Sequence, residues 1–258
     1  GIGQTFEMIK YLAKNAKKQI SILYVYQNEE TIESAEQAAF GGFFKSMHLE
    51  HSMFEFKTIQ VQPDSMDSTK VVTMLLTEIK AGCHGEEIAY REGKRYEKRL
   101  IELTDNKLEK EGMLKENGVY LMIGGCGGVA SILATYMAEK YHANLVLTSR
   151  RDLNEKGIMQ IKNIENAGGK AIYIKADVSV REDVKVLVAK VIERFGHIDG
   201  VFHTAGVIKD SMILNKTEQE FREVLLPKVY GTQYLDEALK DEKLDFFVMF
   251  SSLSAMIG

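Results

Sequence analysis

An α/β fold built on two mainly parallel, doubly wound sheets is what this sequence predicts, and two observations predict it. Short apolar runs alternate with amphipathic stretches of helical period, and the whole alternation occurs twice. Between the two rounds lies Thr104–Asn117, polar and charged with Gly112 inside it, the composition of a linker. A boundary after residue 113 gives an N-terminal part, 1–113, and a C-terminal part, 114–258. At 258 residues the chain is long enough for one large domain or two modest ones.

The first round opens with a helical stretch over Phe6–Asn15, followed by Ile20–Tyr26, an apolar run of strand length. A helix is expected through Thr31–His51, where Ala35, Ala38, Ala39, Phe43 and Met47 stand near helical spacing. Phe54–Val61 reads as the second strand, and Thr69–Ala81 as a helix carrying Val72, Leu75, Leu76 and Ile79. Glu86–Tyr90 and Arg95–Leu103 resemble the arms of a hairpin that turns at Glu92-Gly93. The second round runs strand Val119–Ile123, helix Val129–Tyr141, strand Asn144–Thr148, helix Asn154–Ala167 and strand Ala171–Lys175. Helix Arg181–Phe195 follows, with Val184, Leu187, Val188, Val191 and Phe195 on one face. Strand Gly200–His203, helix Glu218–Leu239 and strand Phe246–Phe250 complete it.

Composition narrows the function classes. Hydrophobic residues make up 45% and charged residues 27%, ordinary for a soluble globular protein. Net charge is -4 with both signs mixed, and no basic block points to nucleic acid or to an anionic membrane surface. The longest apolar runs are far too short to span a bilayer. Two cysteines, Cys83 and Cys126, give neither a disulfide framework nor a metal site and fit a reducing compartment, so a cytoplasmic location is expected. His48, His51 and His84 lack metal-ligand partners, and the scattered methionines read as core filling. The chain opens Gly1-Ile2-Gly3 without an initiator Met or signal peptide, and both ends read as cuts in a longer polypeptide.

The sharpest local signal is Gly124-Gly125-Cys126-Gly127-Gly128-Val129-Ala130, set directly between a predicted strand and a predicted helix. A diphosphate needs close backbone approach, which side chains block, and a helix N-terminus whose free N–H groups face the anion. Gly124, Cys126 and Gly128 occupy the turn, and Ala130 stands where a third glycine often packs helix on strand. Glycine clusters mark tight turns of every kind; the strand before and the helix after favour a cofactor. Cys126 serves there through its backbone, with its thiol a candidate for inactivating alkylation.

The next strand ends Thr148-Ser149-Arg150-Arg151. A guanidinium beside a hydroxyl suits a 2′-phosphate where NAD-preferring sites carry an acid, so NADPH is the expected cofactor; a solvated loop is the alternative. Asp177-Val178 either flanks the adenine or caps the following helix. Thr204-Ala205-Gly206 ends a strand with small residues, suiting a flat ligand or an ordinary turn, and His203 beside it reads as packing. In the first round the first strand is followed by Gln27-Asn28-Glu29-Glu30, with no glycine and two carboxylates that repel a diphosphate. Residues 1–113 are therefore expected to be structural.

With these residues in hand, the chain resembles the short-chain dehydrogenase/reductase superfamily, and within it the ketoreductase domains of modular polyketide synthases. Ile123–Ala130, Leu147–Arg151, His203–Asp210, Pro227-Lys228-Val229-Tyr230-Gly231 and Phe250-Ser251-Ser252 carry the resemblance. Gly42–Lys45, Met47–Glu50, Glu87–Arg91 and Arg95-Tyr96 are similar to the truncated, Rossmann-like structural subdomain that precedes the catalytic one in those enzymes. The resemblance covers essentially the whole chain and implies two Rossmann-like subdomains, the second binding NADPH.

For catalysis the resemblance implies that Ser252 hydrogen-bonds the ketone oxygen. Lys228, which in these domains precedes the serine, would hold the nicotinamide ribose and lower the pKa of a nearby phenol. The family's tyrosine lies beyond Ser252, and Tyr230 and Tyr234 stand in the wrong segment, so the 258 residues alone are not expected to turn over. Without the family, Ser252 reads as the start of a turn and Lys228 as a solvated helix lysine beside Pro227. Ile208-Lys209-Asp210 resembles the Leu-Asp-Asp signature of domains forming the D-configured alcohol (B-type); Asp210 is kept and Lys209 departs from it. The implied substrate is a β-ketoacyl thioester, or an α-ketoacyl one, on an acyl carrier protein, with neighbouring synthase domains in the same polypeptide. Two rivals stay open: a catalytically silent module of the same fold, and a free-standing short-chain reductase of small molecules.

Overall fold

The computed structural model describes residues 2–27, 32–62, 67–102 and 112–258. Two compact units divide the chain: one takes Gly1–Asn106, Asp210–Glu218 and Ser251–Gly258, the other Lys107–Lys209 and Gln219–Phe250. A single cut after residue 113 thus differs from the observed partition, because two later segments pack with the first unit. Within it Ile213 N–H donates to the Glu50 carboxylate (2.7 Å) and Lys10 Nζ donates to the Lys216 carbonyl (2.6 Å). The expected linker falls largely on residues 103–111, outside the described residues, as do Asn28, Glu29 and Glu30.

The first unit holds helix α1 (Ile2–Asn15), strand β1 (Ile20–Gln27), helices α2 (Ile32–Ala38) and α3 (Phe40–Glu50), strand β2 (Phe54–Val61) and helix α4 (Ser68–Ala81). Strands β3 (Glu86–Arg91) and β4 (Lys94–Glu97) form the hairpin, and the sheet order is β1-β2-β3-β4. β1, β2 and β3 run parallel; only β4 is antiparallel, and it stops at Glu97 opposite Ile88, short of the Leu103 expected for that arm. The helix expected over 31–51 is two, parted at Ala39. Gly41 and Gly42 weaken helix propensity there, and a Cβ on Gly41 would stand 2.6 Å from the Glu87 carboxylate.

Alternation along β2 sends Phe54 and Phe56 to one face and Lys57, Ile59 and Val61 more nearly to the other. Phe44 of α3 stacks on Phe56, with ring centroids 5.8 Å apart, and meets Tyr24 of β1 edge-on. On the opposite side Met74, Val71 and Leu75 of α4 pack on Ile59, Val61 and Ile88. Val72, Leu76 and Ile79, three of the four apolar residues named on that helix, are exposed. The inward position of that helix is taken by Glu78, only 2% exposed, so a charged residue hid the true core face from the hydrophobic pattern.

Glu78 is held by Lys57 Nζ (2.9 Å), Arg95 Nε (2.7 Å) and Tyr90 OH (2.7 Å), and Lys57 is fully buried. Burial alone would raise the carboxyl's pKa; Arg95, Tyr90 and Lys57 outweigh it and hold it at about 2.

The second unit is a doubly wound sheet. Strand β5 (Val119–Ile123), helix α5 (Gly128–Tyr141), strand β6 (Asn144–Ser149), helix α6 (Glu155–Asn166), strand β7 (Lys170–Lys175) and helix α7 (Arg181–Phe195) are followed by strand β8 (Gly200–His203), helices α8 (Glu218–Lys228) and α9 (Tyr230–Leu239), and strand β9 (Phe246–Met249). All five strands are parallel in the order β7-β6-β5-β8-β9, so the winding reverses between β5 and β8. β5 is buried along its length: Val119, Leu121 and Ile123 face α7 and α9, while Tyr120 and Met122 face α5. Ala130, Ala134 and Ala138 repeat every four residues on α5, a small-residue face that brings the helix close to the sheet. The helix expected over 218–239 is also two. Pro227 has no N–H and crowds the preceding turn, and the chain breaks at Val229. Among the described residues no helix is long and apolar enough to cross a membrane.

Removing one partner of a buried ion cluster leaves the others desolvated and unpaired, so Glu78→Ala is expected to cost about 3–5 kcal/mol in urea unfolding at pH 7. Because the folded pKa is depressed, this contribution is complete above the unfolded carboxylate's pKa of about 4.3 and disappears as pH falls toward 2. The gap between wild type and variant should therefore shrink between pH 4.5 and pH 2; a pH-independent gap would show that charge pairing is not its cause.

Candidate functional site

In a doubly wound sheet the crevice opens at the carboxyl ends of the strands, where the order reverses. A cleft of about 390 Å³ lies there in the second unit, lined from the ends of β5, β6, β7 and β8. Ile123, Gly124, Cys126 and Gly127 form its floor, with Ser149, Arg150 and Arg151 on one side and Asp177 and Val178 beyond them. Thr204, Ala205, Gly206 and Pro227 close the other side.

The glycine turn is built by hydrogen bonds from its own backbone. Gly124 and Gly125 N–H both donate to the Thr148 carbonyl, at 2.9 and 3.1 Å, and Gly127 N–H donates to the Gly124 carbonyl at 2.9 Å. Gly124 sits at φ +77°, and a Cβ there would stand 2.8 Å from the backbone of Ala205. That position admits only glycine on two counts, handedness and room. At Gly128, by contrast, a Cβ would meet nothing within 4 Å. Helix α5 starts behind Gly127 with no side-chain cap and no acid in its first turn, so its free N–H groups remain available to an anion.

Arg150 is exposed at the cleft and makes no ion pair among the described residues. The loop that carries it is pinned from β7: Tyr173 OH lies within hydrogen-bond reach of Ser149 Oγ (2.8 Å) and of the Ser149 (3.2 Å) and Arg151 carbonyls, which share its one proton. Asp177 caps no helix; Val180 is the N-cap of α7, and the Asp177 carboxylate accepts from Ser179 N–H (2.9 Å) in a turn ahead of it. Thr204 Oγ1 donates to the Ile123 carbonyl at 2.7 Å, tying the β8 end to the β5 end.

Lys228 ends α8, where its Nζ donates to the Phe250 carbonyl at 2.6 Å, and burial lowers its pKa. A Cβ on Gly206 would stand 3.6 Å from Lys228 Cε, so the ammonium arm runs beside the small-residue wall of the cleft. His203 is 1% exposed; its Nε2–H donates to the Pro227 carbonyl (2.9 Å), and burial lowers its pKa, so it packs as a neutral ring just ahead of the lysine. Burial raises the Cys126 thiol's pKa, which disfavours the thiolate that alkylation requires.

Of the residues singled out from the sequence, Gly124, Cys126, Gly127, Ser149, Arg150, Asp177, Val178, Thr204, Ala205 and Gly206 come together around this cleft. Gly125 is buried behind the turn and Val129 points outward, 53% exposed, so neither lines it. Asp210 and Ser252 belong to the first unit; both are exposed, and Ser252 Oγ accepts from Ser254 N–H at 3.2 Å. Two residues that shape the cleft escaped the sequence reading, Tyr173 and Gln160. Gln160 had a signal: it stands at the inward spacing set by Gly157 and Ile164, where an apolar residue belongs.

Fold and crevice together define a doubly wound, Rossmann-like α/β architecture. A family model described as KR domain matches residues 118–258, and a second, described as beta-ketoacyl synthase-like, N-terminal, matches residues 1–78. Polyketide synthase PksN of Bacillus subtilis (strain 168) is 31% identical over 99% of this chain. The chain spans 5% of the length of that relative. A ketoreductase domain from the bacillaene assembly line, known from its crystal structure, superposes with a TM-score of 0.86 at 29% identity, covering all of this chain and 60% of that one. An N-terminal ketoreductase from the macrolactin assembly line gives 0.81 at 31%, covering 97% of this chain and 50% of that one. The chain belongs to the KR domain family, the ketoreductase domains of polyketide synthases, whose members are oxidoreductases that bind a nicotinamide cofactor.

The two glycines of the turn should separate in stability. Gly124→Ala forces a side chain into left-handed backbone against Ala205 and is expected to cost about 1–3 kcal/mol or more, whereas Gly128→Ala should change stability by less than about 0.5 kcal/mol. Chemical denaturation of both variants checks this; equal costs would mean the turn is not held in the geometry described.

Proposed function

We propose that this chain is an NADPH-dependent ketoreductase domain that reduces a β-ketoacyl thioester on an acyl carrier protein to the hydroxyacyl form. The observation that carries the reading is the pairing of an uncapped helix N-terminus behind bare glycine backbone with an exposed guanidinium at the next strand end that makes no ion pair among the described residues and whose field reaches Glu223. The first suits the diphosphate of a dinucleotide, the second the extra 2′-phosphate that distinguishes NADPH. When bound, the nicotinamide dinucleotide supplies the hydride.

The proton that completes the hydroxyl comes from the phenol expected beyond Ser252, and the chain's own residues take the binding and positioning roles. The free amides of Cys126 and Gly128 bind the diphosphate over the bare backbone of Gly124 and Gly127, while Ser149 and Arg150 bind the 2′-phosphate. Asp177 and Val178 flank the adenine, and Thr204, Ala205 and Gly206 give a flat wall for the nicotinamide half. Lys228, anchored to the Phe250 carbonyl with two N–H bonds still to give, holds the nicotinamide ribose. Ser252 hydrogen-bonds the ketone oxygen, and Asp210 biases the product to the D-configured alcohol. Residues 1–113 act as the structural subdomain, residues 114–258 as the catalytic one. The chain works in the cytoplasm beside neighbouring synthase domains of one polypeptide, and the carrier protein brings the substrate on its phosphopantetheine arm.

Two measurements test this. In calorimetric titration Arg150→Ala should weaken NADPH by roughly tenfold or more while leaving NADH nearly unchanged; equal losses would remove Arg150 from phosphate recognition. In the synthase polypeptide that carries this sequence, Lys228→Ala and Ser252→Ala should each slow NADPH oxidation with a β-ketoacyl-N-acetylcysteamine thioester by roughly a hundredfold or more. Wild-type silence, or variants as fast as wild type, would count against the reductase reading.

A further inference from the structure

The glycine turn is not held by its own backbone alone. Helix α6 lies beneath it, and Gly157 and Gln160, three residues apart on that helix, face it together. A Cβ on Gly157 would stand 2.5 Å from Leu153 Cδ1 and 3.3 Å from Cys126 Sγ, so the missing side chain leaves room for both beside the helix. Gln160, 4% exposed, reaches up with Nε2 and donates to the Gly125 carbonyl at 2.6 Å. A carbonyl only accepts, which fixes the amide's orientation and leaves Oε1 buried without a partner among the described residues. An apolar residue of similar size would carry no such orphan. The position holds a glutamine at a cost in desolvation, and the only side-chain bond it makes among the described residues goes to the turn.

That bond fixes one peptide plane. In a trans peptide the C=O of Gly125 and the N–H of Cys126 point in opposite directions. With the carbonyl drawn down onto α6, the Cys126 N–H points away from the helix, and Cys126 lines the cleft. This N–H finds no acceptor among the described residues, whereas those of Gly124, Gly125 and Gly127 are all consumed within the turn. A donor bound at the carbonyl end also polarises the peptide and strengthens its N–H as a donor.

We propose that Gln160 is a positioning residue that aims and polarises the Cys126 N–H toward the diphosphate of the bound dinucleotide. The proposal rests on the dinucleotide reading of the cleft, and its test separates the two. Wild type, Gln160→Leu and Gln160→Met are titrated with NADPH and with adenosine 2′-monophosphate, which keeps the group met by Arg150 but has no diphosphate, and their thermal midpoints are recorded. Both variants should bind NADPH roughly three- to tenfold more weakly, the size of one hydrogen bond's contribution, with adenosine 2′-monophosphate within twofold of wild type and midpoints little changed. Equal losses for both nucleotides, or none for either, would overturn the proposal. Wild type that binds neither nucleotide would instead sink the dinucleotide reading beneath it. Hydrogen exchange on wild type needs no variant: saturating NADPH should slow exchange at the Cys126 amide by tenfold or more, and an unaltered rate there would also overturn it.

Discussion

The Thr148 carbonyl, accepting from both Gly124 and Gly125, is the contact on which the rest of the second unit's site depends. It joins the end of β5 to the end of β6 and turns the chain sharply before α5 begins. The turn passes so close to Ala205 that no side chain fits at Gly124. Three strand ends are thereby fixed against one another, with Thr204 Oγ1 closing the link from β8 to the Ile123 carbonyl. A cleft whose floor is main chain has rigid donors that need no ordering when an anion arrives.

Charge is handled differently at the two ends of that sheet. At the amino end Asp199, mostly buried, accepts from Val119 N–H (2.7 Å) and pairs with Lys115, which also reaches Asp245. Burial pushes the Asp199 carboxyl up, yet the Val119 N–H, Lys115 and His197 outweigh it and hold it below its usual value. These starts of β5, β8 and β9 are closed by satisfied partners. At the carboxyl end the donors are left over: α5 has no side-chain cap, Arg150 makes no ion pair among the described residues, and Lys228 spends one hydrogen bond on Phe250. The first unit shows the opposite habit, burying Lys57 and Glu78 in a closed cluster with Tyr90 and Arg95. The charges of that cluster are consumed in holding the fold.

Most of the fold was legible in the order of residues. Buried parallel strands are short apolar runs, and β2, β5 and β8 run over the very residues expected; α7 shows its core face at i, i+3 and i+4 spacing. The misreadings share one physical origin, that a local pattern cannot tell a satisfied polar group from an exposed one. Glu78 occupies a core position because three partners surround it, and it rotated the apparent apolar face of α4 onto solvent. Gln160 was passed over on α6 for the same reason. Helix breaks at Ala39 and Val229 were underestimated because Gly41-Gly42 and Pro227 leave the apolar spacing intact while weakening the backbone ladder.

What the sequence determined unaided is what local sterics and period dictate: an α/β chain in two rounds, a glycine turn between strand and helix, and arginines where a second strand ends. Those features follow from backbone freedom and the alternation of burial, which neighbouring residues set among themselves. Tertiary structure alone decided the strand order that puts β8 beside β5, the return of residues 210–218 and 251–258 to the first unit, and the groups beneath the turn. Tyr173 under the Arg150 loop and Gln160 under Gly125 act across tens of residues of chain, through hydrogen bonds that exist only once the helices and strands have packed.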